Sequence, residues 1–308
     1  MNEADSIRKG LIYATLAFGL WGFGPIYFKA VASVQPLEVL AHRVIWSLFF
    51  LVLVISWSRG WPKLLLLLTE RKKLLWLFTT SVIVSSNWLV FIWAVANDRI
   101  LEASLGYFIN PLFSVLLAML VLGERLRLMQ RVAIGIAVLG VANQILILGE
   151  LPLVALALAI TFGFYGLLRK MVAVDPVHGL TVETLLLLPF ALIYLFWLDG
   201  TGGMSFIHTS LNIDLLLIAA GLVTAVPLIY FAAATNRLSL TVVGLFQYLA
   251  PSMTFLLALF LYNEPFGGVQ LITFGSIWFA LVLFTLEGWR YRRIHSTPDV
   301  VLESSWKD

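Results

Sequence analysis

The sequence has no cysteine and few charged residues. Without cysteine the chain can form no disulfide, no thiolate nucleophile and few sites for soft metals. Only 12% of the 308 residues are charged, whereas 61% are hydrophobic. A soluble fold of this length could not bury so much apolar surface, so the composition predicts an integral membrane protein.

Recognisable catalytic and nucleotide-binding motifs are also missing. There is no GxxxxGK[ST] loop and no HExxH pair, so neither ATP-driven pumping by this chain alone nor zinc-dependent hydrolysis is expected. We predict no cofactor, no metal site and no enzymatic activity. A nucleic-acid partner is not expected either, because the basic residues follow membrane topology. With a cytoplasmic N-terminus, 17 of the 20 Lys and Arg side chains are predicted to lie inside, Lys29 and Arg99 outside, and Arg43 within a span.

Long apolar runs fill most of the chain. A helix crosses the hydrocarbon core with roughly 20 apolar residues, and these runs predict an all-α protein with ten transmembrane helices and both termini in the cytoplasm. The predicted spans are 10–30, 37–57, 74–96, 101–122, 129–148, 150–170, 177–198, 212–234, 239–262 and 268–288. Of the two longer connections, 58–73 is predicted to lie at the membrane interface and 199–211 to be an external loop.

The chain aligns with itself without a gap at a fixed 140-residue offset. The rarer residues carry this match: Pro36 with Pro176, Trp57 with Trp197, Gly60 with Gly200, Pro111 with Pro251, Glu124 with Glu264, Gln130 with Gln270, and Gly135 with Gly275. An odd number of spans in each copy reverses the second copy in the membrane, which predicts two inverted five-helix repeats. The predicted units are 1–148 and 149–290, followed by a cytoplasmic tail, 291–308.

Prolines indicate where the predicted helices are interrupted. Pro111 and Pro251 share one repeat position, near the middle of their spans, and each removes a hydrogen bond from its helix. Paired interruptions mark transporter binding sites, although a packing kink is the alternative. The polar side chains that flank these prolines are predicted to line a cavity: Tyr107, Asn110, Gln247 and Tyr248.

Other residues are predicted to bend helices or to line the path of a solute. Pro25 is predicted to give the first helix a hinge, and Pro227 stands at the repeat position of Asn87. Asn87 faces the cavity or joins helices by hydrogen bonds. Trp21 and Trp88 are predicted to line an aromatic path; the alternatives are that they anchor at the membrane interfaces or fill gaps between helices. Two further equivalent residues, Glu124 and Glu264, are predicted to organise loops or cap neighbouring helices.

Three ionisable residues within the spans are candidates for function. Arg43 and Glu183 are related by the repeat offset, so one repeat position holds a cation in one copy and an anion in the other. Intramembrane charges are costly and commonly functional. We predict that Arg43 holds an anionic group of the substrate or a gating carboxylate and that Glu183 carries a proton; snorkelling to the interfaces is the alternative. His42 either titrates or serves as a neutral hydrogen-bonding residue.

Several long strings resemble one family, the RarD-type permeases of the EamA group in the drug/metabolite transporter superfamily. They are HRVIWS at 42–47, NWLVFIWAV at 87–95, LEASLGYFINPL at 101–112, LGERL at 122–126, FYGLLRK at 164–170, VPLIYF at 226–231 and FQYLAP at 246–251. The resemblance implies a bacterial inner-membrane protein with ten spans in two inverted repeats. It also implies a central cavity, lined by spans 1–4 and 6–9, and a link with chloramphenicol sensitivity.

The sequence therefore predicts a secondary transporter that works by alternating access through a midplane cavity. Its predicted partners are the lipid bilayer and a small metabolite, amino acid or amphipathic drug such as chloramphenicol, with a proton as a candidate coupling ion. A homodimer, the coupling ion, the direction and the cargo are left open by the sequence, as is direct pairing of Arg43 with Glu183. The alternatives are a membrane-embedded enzyme or lipid-handling protein that uses His42 and Glu183, and a sensor without transport.

Overall fold

The regular secondary structure of the described part of the chain is all helical. The structure is a computed structural model, and it describes residues 3–122, 127–149, 151–235, 237–238 and 246–295. Its helices are α1 (Glu3–Gly22), α2 (Gly24–Ala30), α3 (Pro36–Trp57), α4 (Trp61–Thr69), α5 (Arg71–Ala96), α6 (Ile100–Leu122), α7 (Leu128–Leu148), α8 (Leu153–Val172), α9 (Pro176–Gly200), α10 (Leu211–Thr235), α11 (Leu249–Phe260) and α12 (Gly268–His295).

Eight segments in the described ranges are long and apolar enough to cross a membrane. The first of them runs through α1 and α2, and the others lie in α3, α5, α6, α7, α9, α10 and α12. Two predicted spans are shorter: the apolar part of α8 is Leu153–Arg169, and α11 covers only Leu249–Phe260 of the predicted span 239–262. Residues 239–245 lie outside the described residues, as does Glu124.

Two other predicted segments differ from the helices in detail. The connection 58–73 contains a short helix of its own, α4, whose N-terminus carries Pro62. At the other end of the chain, α12 continues to His295, into the segment predicted as a tail. The residues beyond 295 are outside the described ranges.

Local sequence determines several helix ends. Proline is favoured in the first turn because its missing N–H is not needed there, and Pro36 and Pro176 open α3 and α9. The carboxylate of Asp175 accepts hydrogen bonds from the backbone N–H groups of Val177 and His178, at 3.1 Å each, so it caps α9. Gly149 ends α7 with a φ of 68°, a left-handed conformation that suits glycine.

Helix starts and caps recur at the 140-residue offset. α5 starts at Arg71 and α10 at Leu211, while α7 starts at Leu128 and α12 at Gly268. A glutamine side chain at equivalent positions caps both α7 and α12. Oε1 of Gln130 accepts from the N–H of Arg127 at 3.0 Å. Oε1 of Gln270 accepts from the N–H of Gly267 at 3.0 Å. Equivalent sequence positions thus form equivalent local structure in the two halves.

Contacts between helices of the two halves also occur in equivalent pairs, in which each helix is replaced by its counterpart. α3 packs on α10, and its counterpart α9 packs on α5. α8 packs on α5 and α6, whereas α1 packs on their counterparts α10 and α11. The remaining large contacts join counterparts directly: α3 with α9, α6 with α11, and α7 with α12. These pairs of contacting helices are therefore the same when each helix is replaced by its counterpart.

Apolar side chains cover much of the outer surface as well as the interior. Large exposed residues such as Leu139, Leu146, Ile193 and Phe196 would be unfavourable in water. Inside, small residues allow close helix packing, as is common in membranes. A Cβ added at Gly221 of α10 would overlap the backbone of Trp46 in α3. Apolar faces on both sides of the helices agree with a multi-pass membrane protein.

Candidate functional site

Arg43 and Glu183 occupy equivalent positions on α3 and α9, two helices that pack on each other. Each lies about two turns into its helix. The starts of α3 and α9 are at opposite ends of the bundle. Glu38, near the start of α3, accepts from the N–H groups of Ser205 and Phe206. His178, near the start of α9, contacts the carbonyl of Gly60 beyond the end of α3. We call these the Glu38 end and the His178 end.

Arg43 is surrounded by aromatic rings. It is 9% exposed, and its guanidinium carbon lies 4.1 Å from the ring centroid of Trp88 in α5 and 5.6 Å from that of Phe28 in α2. Its Nε–H group has no hydrogen-bond partner in the described part of the chain. The cation is therefore held against ring faces, which attract positive charge.

Two tyrosines complete this cluster, which we call the Arg43 cluster: Tyr27, Phe28, Arg43, Trp88 and Tyr107. Tyr27 and Tyr107 both interact electrostatically with Arg43. The hydroxyl of Tyr27 donates to the carbonyl of Leu216 at 2.8 Å, and that of Tyr107 donates to Oδ1 of Asn87 at 3.2 Å. Residues of both halves thus hold the cluster in place.

Asn87 joins helices to one another. Its Nδ2 donates to the carbonyl of Leu158 at 3.1 Å and to the hydroxyl of Thr161 at 2.8 Å, both in α8. Its Oδ1 accepts from Tyr107 in α6. Of the two interpretations of Asn87 that the sequence allows, these contacts favour the helix-joining one, through which Asn87 also positions Tyr107 beside Arg43.

Glu183 lies in a different polar cluster. It is fully buried, and its carboxylate accepts from the hydroxyls of Thr80, at 2.6 Å, and Tyr165, at 3.1 Å. Nη1 of Arg169 lies 3.7 Å from Oε1 of Glu183. We call these four residues the Glu183 cluster. A buried carboxylate with a cation and two hydroxyl donors is compensated, as buried charges in folded proteins normally are.

Arg43 and Glu183 thus have separate partners rather than forming a pair with each other. His42 also stands apart from Glu183: it accepts from Nε1–H of Trp46 at 3.3 Å, and its ring lies 4.5 Å from that of Phe206. Its Nε2 has no partner among the described residues. No contact in the described ranges brings His42 and Glu183 together for joint acid/base work.

The prolines predicted to interrupt helices lie in different settings. Pro111 and Pro227 lie inside α6 and α10, which are continuous around them. Pro251 lies in the first turn of α11, where its carbonyl accepts from the hydroxyl of Ser104 at 2.9 Å. Pro25 follows the one-residue break between α1 and α2 at Phe23. In the described part, therefore, the helix is broken beside Pro25 but not at Pro111 or Pro227.

The remaining predicted residues belong to neither of these two clusters. The ring of Trp21 contacts those of Phe18 and Phe231, at 5.4 Å and 5.9 Å between centroids. Oδ1 of Asn110 accepts from the hydroxyl of Ser114 at 3.4 Å. Gln247 is exposed, whereas Tyr248 is partly buried at the start of α11. Within the described ranges, no hydrogen bond or ring contact links these residues to Arg43 or Glu183.

Two cavities lie elsewhere. One of about 230 Å³ is bounded by the start of α6 and by Gln144, Pro152 and Glu264. An open groove of about 620 Å³ lies between Pro36, Trp93 and Trp197. Neither is lined by Arg43 or Glu183, and both of these charged side chains are buried in this conformation. Within the described residues, no group of three or more His, Asp or Glu side chains could hold a metal ion.

The structure adds residues that the sequence did not single out. Tyr27 and Phe28 directly follow Pro25, and the hinge predicted at Pro25 was the sequence feature that could have drawn attention to them. Thr80 carries no sequence signal, whereas Tyr165 and Arg169 lie in the string FYGLLRK at 164–170, and Arg169 stands at the repeat position of Lys29.

Glu264 fulfils its predicted capping role. Its carboxylate accepts from the N–H groups of Ile100 and Leu101, at 2.6 and 2.8 Å, and so caps the first turn of α6. Burial raises the pKa of Glu264, although these two N–H groups oppose the rise. The cap joins the two halves, because α6 belongs to the first and Glu264 to the second.

Several known proteins similar to this chain are named as transporters, and others are named RarD. The profile of the EamA-like transporter family matches residues 8–144. An "Uncharacterized transporter" of Vibrio cholerae is 47% identical over 286 residues, which cover 93% of this chain and 95% of that protein. "Protein RarD" of Escherichia coli is 46% identical, covering 92% of this chain and 96% of that protein.

A more distant relative and a solved structure extend the comparison. The "Chloramphenicol-sensitive protein RarD" of Pseudomonas aeruginosa is 32% identical over 93% of this chain and 95% of that protein. A crystal structure that is 18% identical aligns with a TM-score of 0.56 and covers 91% of this chain and 99% of its own. That structure shares the fold alone. Because the Vibrio and Escherichia relatives match over nearly their full length, the chain belongs to the EamA-like transporter family of the drug/metabolite transporter superfamily, together with the RarD proteins.

Proposed function

We propose that the protein is a secondary transporter that works by alternating access, with the substrate held between two inverted five-helix repeats. The observation that carries the proposal is the pair of buried charges, Arg43 and Glu183, at equivalent positions on the central helices α3 and α9. Buried ionisable groups inside a membrane protein are retained for function more often than for stability. The cargo is a small metabolite, an amino acid or an amphipathic drug such as chloramphenicol.

The exchange of contacts between the halves supports the inverted arrangement. Three helices of the first half, 1–148, pack on their own counterparts in the second half, 149–290. These pairs are α3 with α9, α6 with α11, and α7 with α12. Glu38 and His178, which are related by the same repeat offset, contact opposite ends of the bundle. In such a fold the two halves rock about the central site and open it to one side at a time.

The charge distribution supports the orientation. Arg59, Lys63 and Arg71 follow α3 beside Gly60, at the His178 end. This end faces the cytoplasm in this proposal, and both termini are cytoplasmic as well. The Glu38 end then faces outward, where Lys29 pairs with Asp98 and Arg99 with Glu102. Because the named relatives come from bacteria, we place the protein in the bacterial inner membrane.

Glu183 is the proposed proton carrier. Its partners, Thr80, Tyr165 and Arg169, hold the carboxylate when it is ionised. Protonation would remove the attraction to Arg169 and leave two neutral hydrogen bonds. Movement of α8, which carries Tyr165 and Arg169, relative to α9 would then be easier, and in this way a proton could be coupled to opening at the His178 end.

Uptake into proteoliposomes tests the proposal. Labelled amino acids and chloramphenicol are supplied with and without an imposed pH gradient, and wild type is compared with Glu183→Gln. We expect flux that the gradient stimulates in wild type, and a loss of the stimulation in Glu183→Gln. Glu287→Gln is the matched control, because Glu287 pairs with Arg127 outside both clusters. Unchanged stimulation in Glu183→Gln would contradict the coupling role, and no flux of any solute would contradict transport.

A further inference from the structure

Arg43 differs from several other cations of the structure in its partners. Lys29, Lys73, Arg99, Arg127 and Arg169 form side-chain ion pairs with Asp or Glu. Arg43 lies against the rings of Trp88 and Phe28 and interacts electrostatically with Tyr27 and Tyr107, and no carboxylate of the described ranges forms an ion pair with it. It is nevertheless only 9% exposed, whereas the paired Arg99 is far more open to the surroundings.

The missing counter-charge has an energetic cost. A buried ion without compensation is strongly unfavourable even after the protein relaxes around it. A guanidinium over a ring regains only a fraction of that cost, so Trp88 and Phe28 leave most of it unmet. The unpartnered Nε–H of Arg43 adds a second unmet requirement, because a buried donor without an acceptor is also unfavourable. Both requirements are met by one ligand, an anion with a hydrogen-bond acceptor.

The neighbours of Arg43 indicate what kind of anion fits. The hydroxyl hydrogens of Tyr27 and Tyr107 already bond to Leu216 and Asn87, so recognition of an anion depends on the guanidinium. A guanidinium prefers a planar, bidentate acceptor such as a carboxylate. The nearby rings of Trp88 and Phe28 offer apolar surface to the rest of the molecule.

We infer that the substrate is an organic carboxylate with an apolar or aromatic body, and that its carboxylate is the counter-ion of Arg43. This inference rests on the proposed transport function and narrows its cargo. Neutral amphipathic compounds lack the charge that Arg43 requires, so they are poor substrates. In the present conformation, side chains of the Arg43 cluster pack around the guanidinium, and a ligand reaches it only when the halves move apart.

Matched pairs of probes separate charge from shape. Uptake of phenylacetate is compared with that of phenylacetamide, and uptake of indole-3-acetate with that of its amide, in proteoliposomes of wild-type protein. Each amide has nearly the shape of its acid but no charge. We expect the acids to be transported at least about 10-fold better, because a neutral ligand leaves the buried cation without its partner. Acetate and chloride, without an apolar body, should compete weakly.

Variants assign the preference to Arg43. Arg43→Gln should reduce the acid-to-amide ratio to within about twofold of one, and Arg43→Lys should restore part of it, because lysine keeps the charge without the bidentate geometry. If Arg43→Gln does not fold, Trp88→Leu serves instead, and it should weaken transport of the aromatic acids more than that of acetate. Arg99→Gln is the control, because Arg99 is paired with Glu102 away from the cluster; it should keep the preference.

Each outcome decides a separate question. Equal transport of acids and amides, or transport of chloramphenicol but of no acid, would overturn the carboxylate inference and leave the transport function standing. Competition by chloride as strong as that by phenylacetate would also overturn it, since an inorganic ion would then be the counter-charge. No flux of any solute, amino acids and chloramphenicol included, would contradict the transport function itself.

Discussion

Equivalent residues in the two halves have acquired different surroundings. Position 43 holds a cation among aromatic rings, whereas position 183 holds an anion among hydroxyls and a cation. The difference depends on single side chains: Thr80, which donates to Glu183, corresponds to Ala220 in the other half. One of the two equivalent charges is thus compensated by side chains of the protein, whereas the other has no ion-pair partner among the described residues.

A glycine controls the approach of Arg169 to Glu183. A Cβ added at Gly179 in α9 would overlap the guanidinium of Arg169, so Gly179→Ala should push Arg169 away and leave the carboxylate buried without its cation. The movement itself costs little, because the guanidinium ends a flexible side chain; stability is lost because a buried carboxylate is left without its cation. The expected result is a lower thermal midpoint in detergent, together with a weaker effect of pH gradients on flux.

The control for this prediction is Gly166→Ala, on α8, the helix that carries Arg169. A Cβ at Gly166 would meet no atom within 4 Å, and alanine is the better helix former by about 1 kcal/mol. Its thermal midpoint should therefore stay level or rise. A Gly179→Ala protein as stable as wild type would show that Arg169 can relax without loss, which would weaken its assigned role in the Glu183 cluster.

At the scale of helices, ends are organised partly by nearby residues and partly by distant ones. The first turn of α9 is capped by its neighbour Asp175, whereas the first turn of α6 is capped by Glu264, which belongs to the other half of the chain. The local cap can be read from the sequence as an Asp-Pro pair at a helix start. The distant cap required the two halves to be packed together.

Asp175 gives a prediction about pH. Burial alone would raise its pKa, but hydrogen bonds from His178 and from the N–H of Val177 outweigh burial and hold the pKa below the ordinary 3.8. The ionised cap therefore stabilises the fold above pH 3.8, and this contribution is lost as the pH falls through the lowered pKa. Asp175→Ala should cost about 1 kcal/mol at neutral pH and less in acid.

Thermal midpoints and amide hydrogen exchange at Val177 and His178 measure this effect. Asp175→Asn is the matched control, since it retains a side-chain acceptor but cannot ionise. It should preserve slow exchange at neutral pH and lose the dependence on acid. An Asp175→Ala protein that exchanges these two amides as slowly as wild type would contradict the cap.

At the scale of the whole molecule, the central question is how the two halves are oriented in the bilayer. The absence of native cysteine makes single-cysteine labelling direct. Lys63 lies in the connection between α3 and α5, and Thr209 lies in the equivalent connection between α9 and α10; both are exposed. Inverted repeats predict that these two connections face opposite sides of the membrane.

An impermeant maleimide should therefore label Thr209→Cys in intact spheroplasts, and Lys63→Cys only after the membrane is permeabilised. The wild-type chain, which has no cysteine to label, gives the background. Labelling of both sites from the same side would rule out inversion and, with it, the rocking of the halves about a shared central site.

The positions of the helices could be predicted from the sequence, but their continuity at proline could not. Hydropathy and the 140-residue offset located the long apolar helices, because both depend on local composition. They did not anticipate that α6 and α10 continue through Pro111 and Pro227. A proline removes one backbone hydrogen bond, and the bonds on either side can keep the helix continuous when neighbouring helices support it.

The sequence by itself determined that the chain is an apolar, helical membrane protein with an internal sequence repeat and with charges at positions 43 and 183. These features follow from the composition and order of neighbouring residues. Only the tertiary structure decided which side chains become partners. The guanidinium of Arg169 lies close to Glu183 because Gly179 has no side chain to block it. Phe28 and Trp88 lie against Arg43. Such contacts depend on how helices far apart in sequence pack, and a single sequence carries no direct signal for that packing.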